Sequence, residues 1–307
     1  MRTSTFLLAA STAGSVLGVP LVKKDNYDPL PGGDIDILNY ALTLEFLERK
    51  FYEQGLANYT KEELTGAGLD ANLYENLQTI YSDEKTHVDF LAGALGDKAI
   101  PEPTFAFPST DAKSFLGLSA ILEGVGVSAY LGAAAVIADK AYVTAAGAIL
   151  TVEARHAAYI RNAIGQKPFP TPFDTPLNFN QVFSLAAQFV ASFAPGTPEL
   201  PFRAFPSLSV VKAGHGLVFP GAAAAAEKEG LLKYGQKVSA VFYSGLDTYY
   251  GCLSRNGNDY VLHYIPQGKD GKAGPAGQVY VILSTADGNT VQAADENTVA
   301  GVGILEL

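Results

Sequence analysis

Glu84-Lys85-Thr86-His87 and Glu153-Ala154-Arg155-His156 repeat one pattern, a glutamate followed three positions later by a histidine. On a helix that spacing sets a carboxylate and an imidazole on one face, a turn apart. With 15 Glu and 4 His in 307 residues, chance supplies only about 0.2 such motifs, and helical spacing is what gives the pair its meaning. Both lie on apolar stripes. Leu73, Leu77, Ile80, Glu84, His87 and Leu91 line one over about residues 70–95, and Ile149, Glu153, His156 and Ile160 line the other over about residues 140–164. A lone histidine on an apolar face is usually a satisfied core residue, and a lone glutamate usually reaches back to water. Two pairs on two core-facing stripes fit neither account.

Two more helices complete the set. Residues 111–138 are nearly all Ala, Gly, Leu, Val and Ile, and Glu123 is the only charge between Lys113 and Asp139. A carboxylate in so apolar a helix needs a cation or a proton. Over residues 34–53, Asp36, Asn39, Thr43 and Lys50 mark a polar face, with Leu38, Ala41, Glu45 and Tyr52 opposite. Glu48 also points inward, and would replace or supplement Glu45. Glu123 and Glu153 stand at comparable distances from a turn near residue 138, and Glu45 and Glu84 bracket the connection 55–69. All four carboxylates and both imidazoles therefore fall at one level of a bundle. Residues 96–110, with Pro101, Pro103 and Pro108, can span about 50 Å when extended. That is enough to return along the whole bundle in one long crossover. No internal repeat shows at a fixed period.

The segment Leu38-Asn39-Tyr40-Ala41-Leu42-Thr43-Leu44-Glu45, the paired motifs and the buried Glu123 resemble the ferritin-like superfamily, and more narrowly the fungal stress-response and plant desiccation-related ferritin-like proteins, over about residues 34–165. The resemblance implies a dinuclear metal centre with Glu45 and Glu123 as single-helix carboxylates, Glu84 with His87, and Glu153 with His156. Tyr52, seven residues after Glu45, matches the tyrosine that ferritins keep beside their metals, and is the candidate catalytic side chain. Glu and His ligands suit Fe, Mn and Zn alike; the resemblance favours two Fe ions. It implies O2 or peroxide as oxidant and a ferroxidase-like oxidoreductase activity. Two alternatives stand beside it: a non-catalytic stress or metal-sequestering protein, and a module that binds cell-wall glycan. A homo-oligomer is a further candidate assembly. Unlike a ferritin cage subunit, this chain appends a long β region, and it has no cysteine cluster for a rubredoxin-type centre.

The rest of the chain sets context. Arg2 followed by an apolar run over residues 6–17 reads as a signal peptide, residues 1–18. The run is too short to span a membrane. Residues 19–33, with Lys23-Lys24, read as a propeptide or linker. Residues 34–166 then form the four-helix bundle. Residues 167–200 form a linker with a fifth helix over 179–193. Residues 201–307 are a β domain, an immunoglobulin-like sandwich or a small barrel, with strands expected at 208–211, 238–243, 249–253, 260–265, 279–283 and 302–307. The fold class is thus α+β multidomain. Asn58-Tyr59-Thr60 is a glycosylation sequon, in keeping with a secreted or cell-wall protein. The net charge of −10 argues against a nucleic-acid partner. His215 and His263 read as structural or surface residues. The single cysteine, Cys252, excludes an internal disulfide and is expected to be buried in a strand.

Overall fold

The computed structural model describes residues 30–233, 235–268 and 273–307, so the expected signal peptide and most of the following linker lie outside the described residues. Four long helices form where the apolar stripes require them: α1 (Asp34–Asn58), α3 (Leu73–Leu95), α4 (Ala112–Ala133) and α5 (Lys140–Ala163), with a short α2 (Lys61–Ala67) between the first two. Local chemistry fixes their ends. Asp111 accepts from the Ser114 N–H at 2.7 Å while the Ser114 hydroxyl accepts from the Asp111 N–H, a capping box at the start of α4. Thr60 and Glu63 form the same device on α2. Asp139 caps α5, and the Asp34 carboxylate accepts from the Ala138 and Asp139 N–H groups, both at 2.8 Å, which ties the α4–α5 turn to the foot of α1.

Helix α1 packs along α3, and α4 along α5. Residues 96–110 run between the two pairs as the long connection. Asn39 holds this crossover with two hydrogen bonds, its amide to the Lys98 carbonyl at 3.0 Å and its carbonyl oxygen from the Ile100 N–H at 2.9 Å. The polar face expected on α1 is therefore only partly exposed, since Asn39 and Thr43 are buried. Their polarity serves the crossover and the helix itself, not water.

The fifth helix, α6 (Phe179–Ala186), forms but is shorter than the pattern suggests. The chain then turns into β2 (Val190–Ser192), which pairs with β1 (Thr104–Phe105) of the crossover. Beyond it the chain builds two four-stranded antiparallel sheets with a helix α7 (Ala222–Lys228) beside them. One has the order β3 (Val211–Ala213), β4 (Gly216–Phe219), β8 (Asp259–Leu262), β7 (Ser254–Asn256). The other has the order β10 (Thr298–Glu306), β9 (Gln278–Ser284), β5 (Ser239–Ser244), β6 (Asp247–Cys252). Both contribute to one apolar core, with Leu217, Phe219 and Leu262 from the first sheet and Phe242, Val281 and Leu283 from the second. Only Leu253 separates β6 from β7, so the chain passes directly between sheets at that edge. At the other edge the Gly301 N–H donates to the Pro206 carbonyl at 2.9 Å. Cys252 is exposed, contrary to expectation. It ends β6, an edge strand.

The bundle and the sheets are not separated by a gap. Val241, Tyr243, Tyr280, Ile282 and Val302 join the bundle's apolar core. Tyr280 donates to the Gly124 carbonyl at 2.8 Å, and Gln278 to the Ile121 carbonyl at 3.1 Å. A side chain at Gly124 would strike Gln278 at 2.6 Å, so glycine there lets β9 lie against α4. Arg161 of α5, buried, makes a two-pronged ion pair with Glu306 of β10 at 2.9 and 2.5 Å. Among the described residues α4 alone is long and apolar enough to cross a membrane; most of it is buried between α5, α1 and the sheet, as a core helix is.

Candidate metal centre

The four long helices bring Glu45, Glu84, His87, Glu123, Glu153 and His156 to one level of the bundle, and all six are buried. His87 Nδ1 lies 3.2 Å from Glu45 Oε2, 3.2 Å from Glu84 Oε2 and 3.3 Å from Glu153 Oε1. His156 Nδ1 lies 3.0 Å from Glu84 Oε1 and 3.4 Å from Glu123 Oε2. Two overlapping donor sets result. One is Glu45, Glu84, His87 and Glu153; the other is Glu84, Glu123, Glu153 and His156, each with its donor atoms within 4.8 Å of one another. Glu84 and Glu153 belong to both. Each of these shared acids has two oxygens and so can serve two cations at once, while Glu45 with His87 and Glu123 with His156 complete one site each.

Hydrogen bonding within the protein does not satisfy this cluster. A ring nitrogen carries at most one hydrogen and cannot donate to three carboxylates. Glu45 Oε2, Glu84 Oε1, Glu123 Oε2, both Glu153 oxygens and His156 Nδ1 are buried without a hydrogen-bond partner. Unsatisfied buried carboxylates cost several kcal/mol apiece unless neutralised. Ligand atoms about 2.1 Å from a shared ion stand roughly 3.0–3.4 Å apart in tetrahedral or octahedral coordination, which is the spacing found around both imidazoles. The residues present fit a pair of divalent cations.

The protonation states give the same account. Burial raises the Glu84 carboxyl to about 7, against the pull of the two imidazoles. Burial and the neighbouring carboxylates hold Glu153 well above the usual range. Burial alone would lower His156, but the Glu123 and Glu84 carboxylates facing its ring outweigh that and raise it to about 11; Glu153, Glu45 and Glu84 raise His87 in the same way. Without a cation, protons take its place. Glu48, 3% exposed, is a fifth buried acid, raised by burial and then by Glu153, Glu84, Glu45 and Glu123. It belongs to neither donor set, and it faces Glu153 across Gly126.

Two tyrosines support the acids. Tyr52 of α1 donates to Glu123 Oε1 of α4 and lies 2.5 Å from the Ser119 hydroxyl. Tyr130 of α4 donates in return to Glu45 Oε1 of α1. The sequence carried a signal for Tyr130. It follows Glu123 by seven residues, as Tyr52 follows Glu45, and each Glu-Tyr helix precedes a Glu-x-x-His helix. The bundle is thus two matched halves whose separations differ, so no fixed period reveals them. Asp83, also unforeseen, lies 3.2 Å from His156 Nε2 and orients that ring from its outer side. Gly126 faces the acids from α4: a Cβ there would stand 2.9 Å from Glu48 Oε1 and 3.1 Å from Glu153 Oε2. Asn58 lies apart from the centre, exposed at the last residue of α1. His215 and His263 are exposed in the β region.

Comparison with known proteins agrees with this geometry. Residues 33–166 match the family model of the ferritin-like domain. The chain is also similar to Protein rds1 of Schizosaccharomyces pombe, with 24% identity over 185 residues, covering 60% of this chain and 46% of that protein. The chain therefore spans less than half the length of that relative.

Proposed function

We propose that this chain, which carries a ferritin-like domain over residues 33–166, binds two iron ions between its four long helices and is an oxidoreductase that uses O2 or peroxide, ferroxidase-like in its simplest form. The observation that carries the reading is the double donor set with Glu84 and Glu153 in common. When bound, such a metal pair supplies reversible one-electron chemistry and Lewis acidity. The protein's own residues define the rest. Glu45 with His87 would hold one ion, Glu123 with His156 the other, and Glu84 and Glu153 would bridge. Tyr52 and Tyr130 keep the terminal carboxylates in place through their hydroxyls, and Asp83 fixes the outer nitrogen of His156. The surrounding apolar side chains keep bulk water from the acids, which strengthens every charge interaction there.

Secretion and an extracellular or cell-wall location remain part of this proposal, supported by the leader-like residues 1–18 and the exposed sequon at Asn58. An immunoglobulin-like or barrel-like connectivity for the two sheets belongs to it as well. The same donor set also supports metal sequestration, so turnover is the distinguishing measurement. Anaerobic loading with Fe(II) should give two ions per chain by elemental analysis, and admission of air should produce an oxidised-iron absorbance. Glu84→Gln should lower the stoichiometry toward zero, because it removes a ligand common to both sites. His156→Ala should leave about one ion. A wild-type value near zero in a folded chain would end the dinuclear reading; bound iron that air does not oxidise would favour sequestration.

A further inference from the structure

Next to the acids, and outside the donor sets, a cavity of about 190 Å3 lies between α1, α4, α6 and β10. Its walls include Leu47, Leu122, Leu185, Phe189 and Val302. A cavity of about 150 Å3 with such walls holds a benzene molecule and no water. Among the described residues, the only side chains at this one able to form hydrogen bonds are Glu48, buried, and Gln188, exposed. Glu48 Oε2 is buried with no hydrogen-bond partner. Gly126 lines the cavity too, and its missing side chain is what leaves room between Glu48 Oε1 and Glu153 Oε2. One carboxyl group therefore stands between the cavity and a bridging ligand of the proposed metal pair.

We propose that this cavity is a binding site for a small, largely apolar organic molecule of roughly six to ten non-hydrogen atoms bearing one hydroxyl or similar group, which pairs with the Glu48 carboxyl. The inference deepens the proposed function, since such a molecule would sit beside the metal centre as an organic substrate, but its binding does not depend on the metals. Three features carry it. The volume suits a single ring or short chain. The apolar lining from both bundle and sheet favours an apolar body over water along most of the wall. The single unpaired buried carboxyl supplies one point of orientation, and a hydroxyl, both donor and acceptor, satisfies that carboxyl in either protonation state.

The test uses two probes that differ by one hydroxyl, 4-fluorobenzyl alcohol and 4-fluorotoluene, titrated into the full chain and followed by fluorine NMR. The chain is studied both metal-free and loaded with Zn(II), with zinc content measured separately. Wild type should bind the alcohol, and Glu48→Leu should cut the affinity ratio of alcohol to toluene at least tenfold. Leu118→Trp, which fills the cavity from a half-buried position, should abolish binding of both probes while leaving two zinc ions bound. Val125→Phe serves the same purpose if the tryptophan variant does not fold. An unchanged ratio in Glu48→Leu, unchanged binding in the filled variants, or no binding by wild type would each overturn the proposal. Loss of zinc binding with probe binding intact would count against the dinuclear reading alone.

Discussion

Two cores lie against each other in this molecule, and they bury opposite chemistry. The core between the two sheets holds Leu217, Phe219, Phe242, Val281 and Leu283, and no charged side chain is among its described buried residues. The bundle encloses Glu45, Glu48, Glu84, Glu123, Glu153, His87 and His156. Apolar burial stabilises whatever the pH and needs no bound ion. A nest of carboxylates is stable only when protons or cations neutralise it. The core between the sheets thus needs no neutralising partner, whereas the bundle interior does, and the contrast points to the bundle interior as the working part.

The largest effect should come from separating the two. Ending the chain after Gln166 would remove Leu177, Val182, Leu185, Tyr280 and Val302, all buried in the bundle's own core. At about 1.5–3 kcal/mol for each large apolar side chain, the loss is on the order of 10 kcal/mol, comparable to the whole stability of a typical domain. The truncated chain should retain helix by circular dichroism but lose its cooperative thermal transition. A sharp melt there would show that the bundle stands alone, as the sequence boundary at residue 166 expects.

pH should distinguish the two cores next. In the metal-free fold, Glu84 keeps its proton up to about 7 against an ordinary 4.5, and His156 keeps its proton up to about 11 against 6.5. Both folded values are raised, so the folded chain binds more protons than the unfolded one across these windows. Stability must then fall as pH rises, first between about 4.5 and 7 and again above 6.5. Metal binding needs the deprotonated ligands, so affinity rises with pH. Melts from pH 5 to 9 should slope downward in chelator by a few kcal/mol in all, and flatten or reverse with Zn(II). A melt independent of pH in chelator would mean that the cluster is not protonated as described.

Glu123→Gln sharpens the same contrast. The substitution removes one negative charge from the crowded acids, while the Gln carbonyl can still accept from Tyr52. Folding in chelator should therefore be unchanged or stronger, by up to about 1 kcal/mol, and metal affinity should fall. If Glu123 were instead a structural acid paired with a fixed cation, the same substitution would cost about 3–5 kcal/mol. Melts with chelator and with Fe(II) separate the two outcomes.

The bundle was more legible in the sequence than the sheets. Two Glu-x-x-His motifs and the isolated Glu123 carry their meaning locally, because helical spacing converts residue numbers into positions on a face. The six expected ligands meet in space for that reason. Tyr130 is legible by the same arithmetic, since the spacing from Glu123 repeats that from Glu45 to Tyr52. The burial of Asn39 and Thr43 is not legible, because a crossover covers a face of α1 that polarity alone assigns to solvent. In the β region β4 (Gly216–Phe219), only four residues long, is too short for its alternation to stand out. Which strands pair is a matter of contacts distant in the chain, and periodicity is silent on these. The packing of β9 on α4 was equally hidden, except that Gly124 marks where the strand comes close.

The smallest expected effects concern the two tyrosines, and there the matched halves of the bundle supply their own control. Tyr52 bonds Glu123 and Tyr130 bonds Glu45, each reaching across from α1 to α4 or back. Burial and the partner carboxylate raise both phenols, so neither ionises at neutral pH and each remains a donor. Replacing either with Phe removes one hydrogen bond to a carboxylate, at a cost of about 1.5–3 kcal/mol where that group is charged and less where it is protonated. Tyr52 alone has a second polar neighbour, the Ser119 hydroxyl at 2.5 Å. Tyr52→Phe would leave that hydroxyl, one turn before Glu123 on α4, free to turn toward the carboxylate as a substitute donor, so its loss of stability in chelator should be the lesser of the two. If Tyr52 is also the catalytic side chain that its position suggests, its removal should slow oxidation of bound Fe(II) severalfold more than Tyr130→Phe does, at equal iron stoichiometry. Thermal melts give the first comparison and stopped-flow absorbance after mixing with air the second. Equal slowing in both variants would assign the two tyrosines the same supporting role, and Tyr52 would lose its separate place in the chemistry.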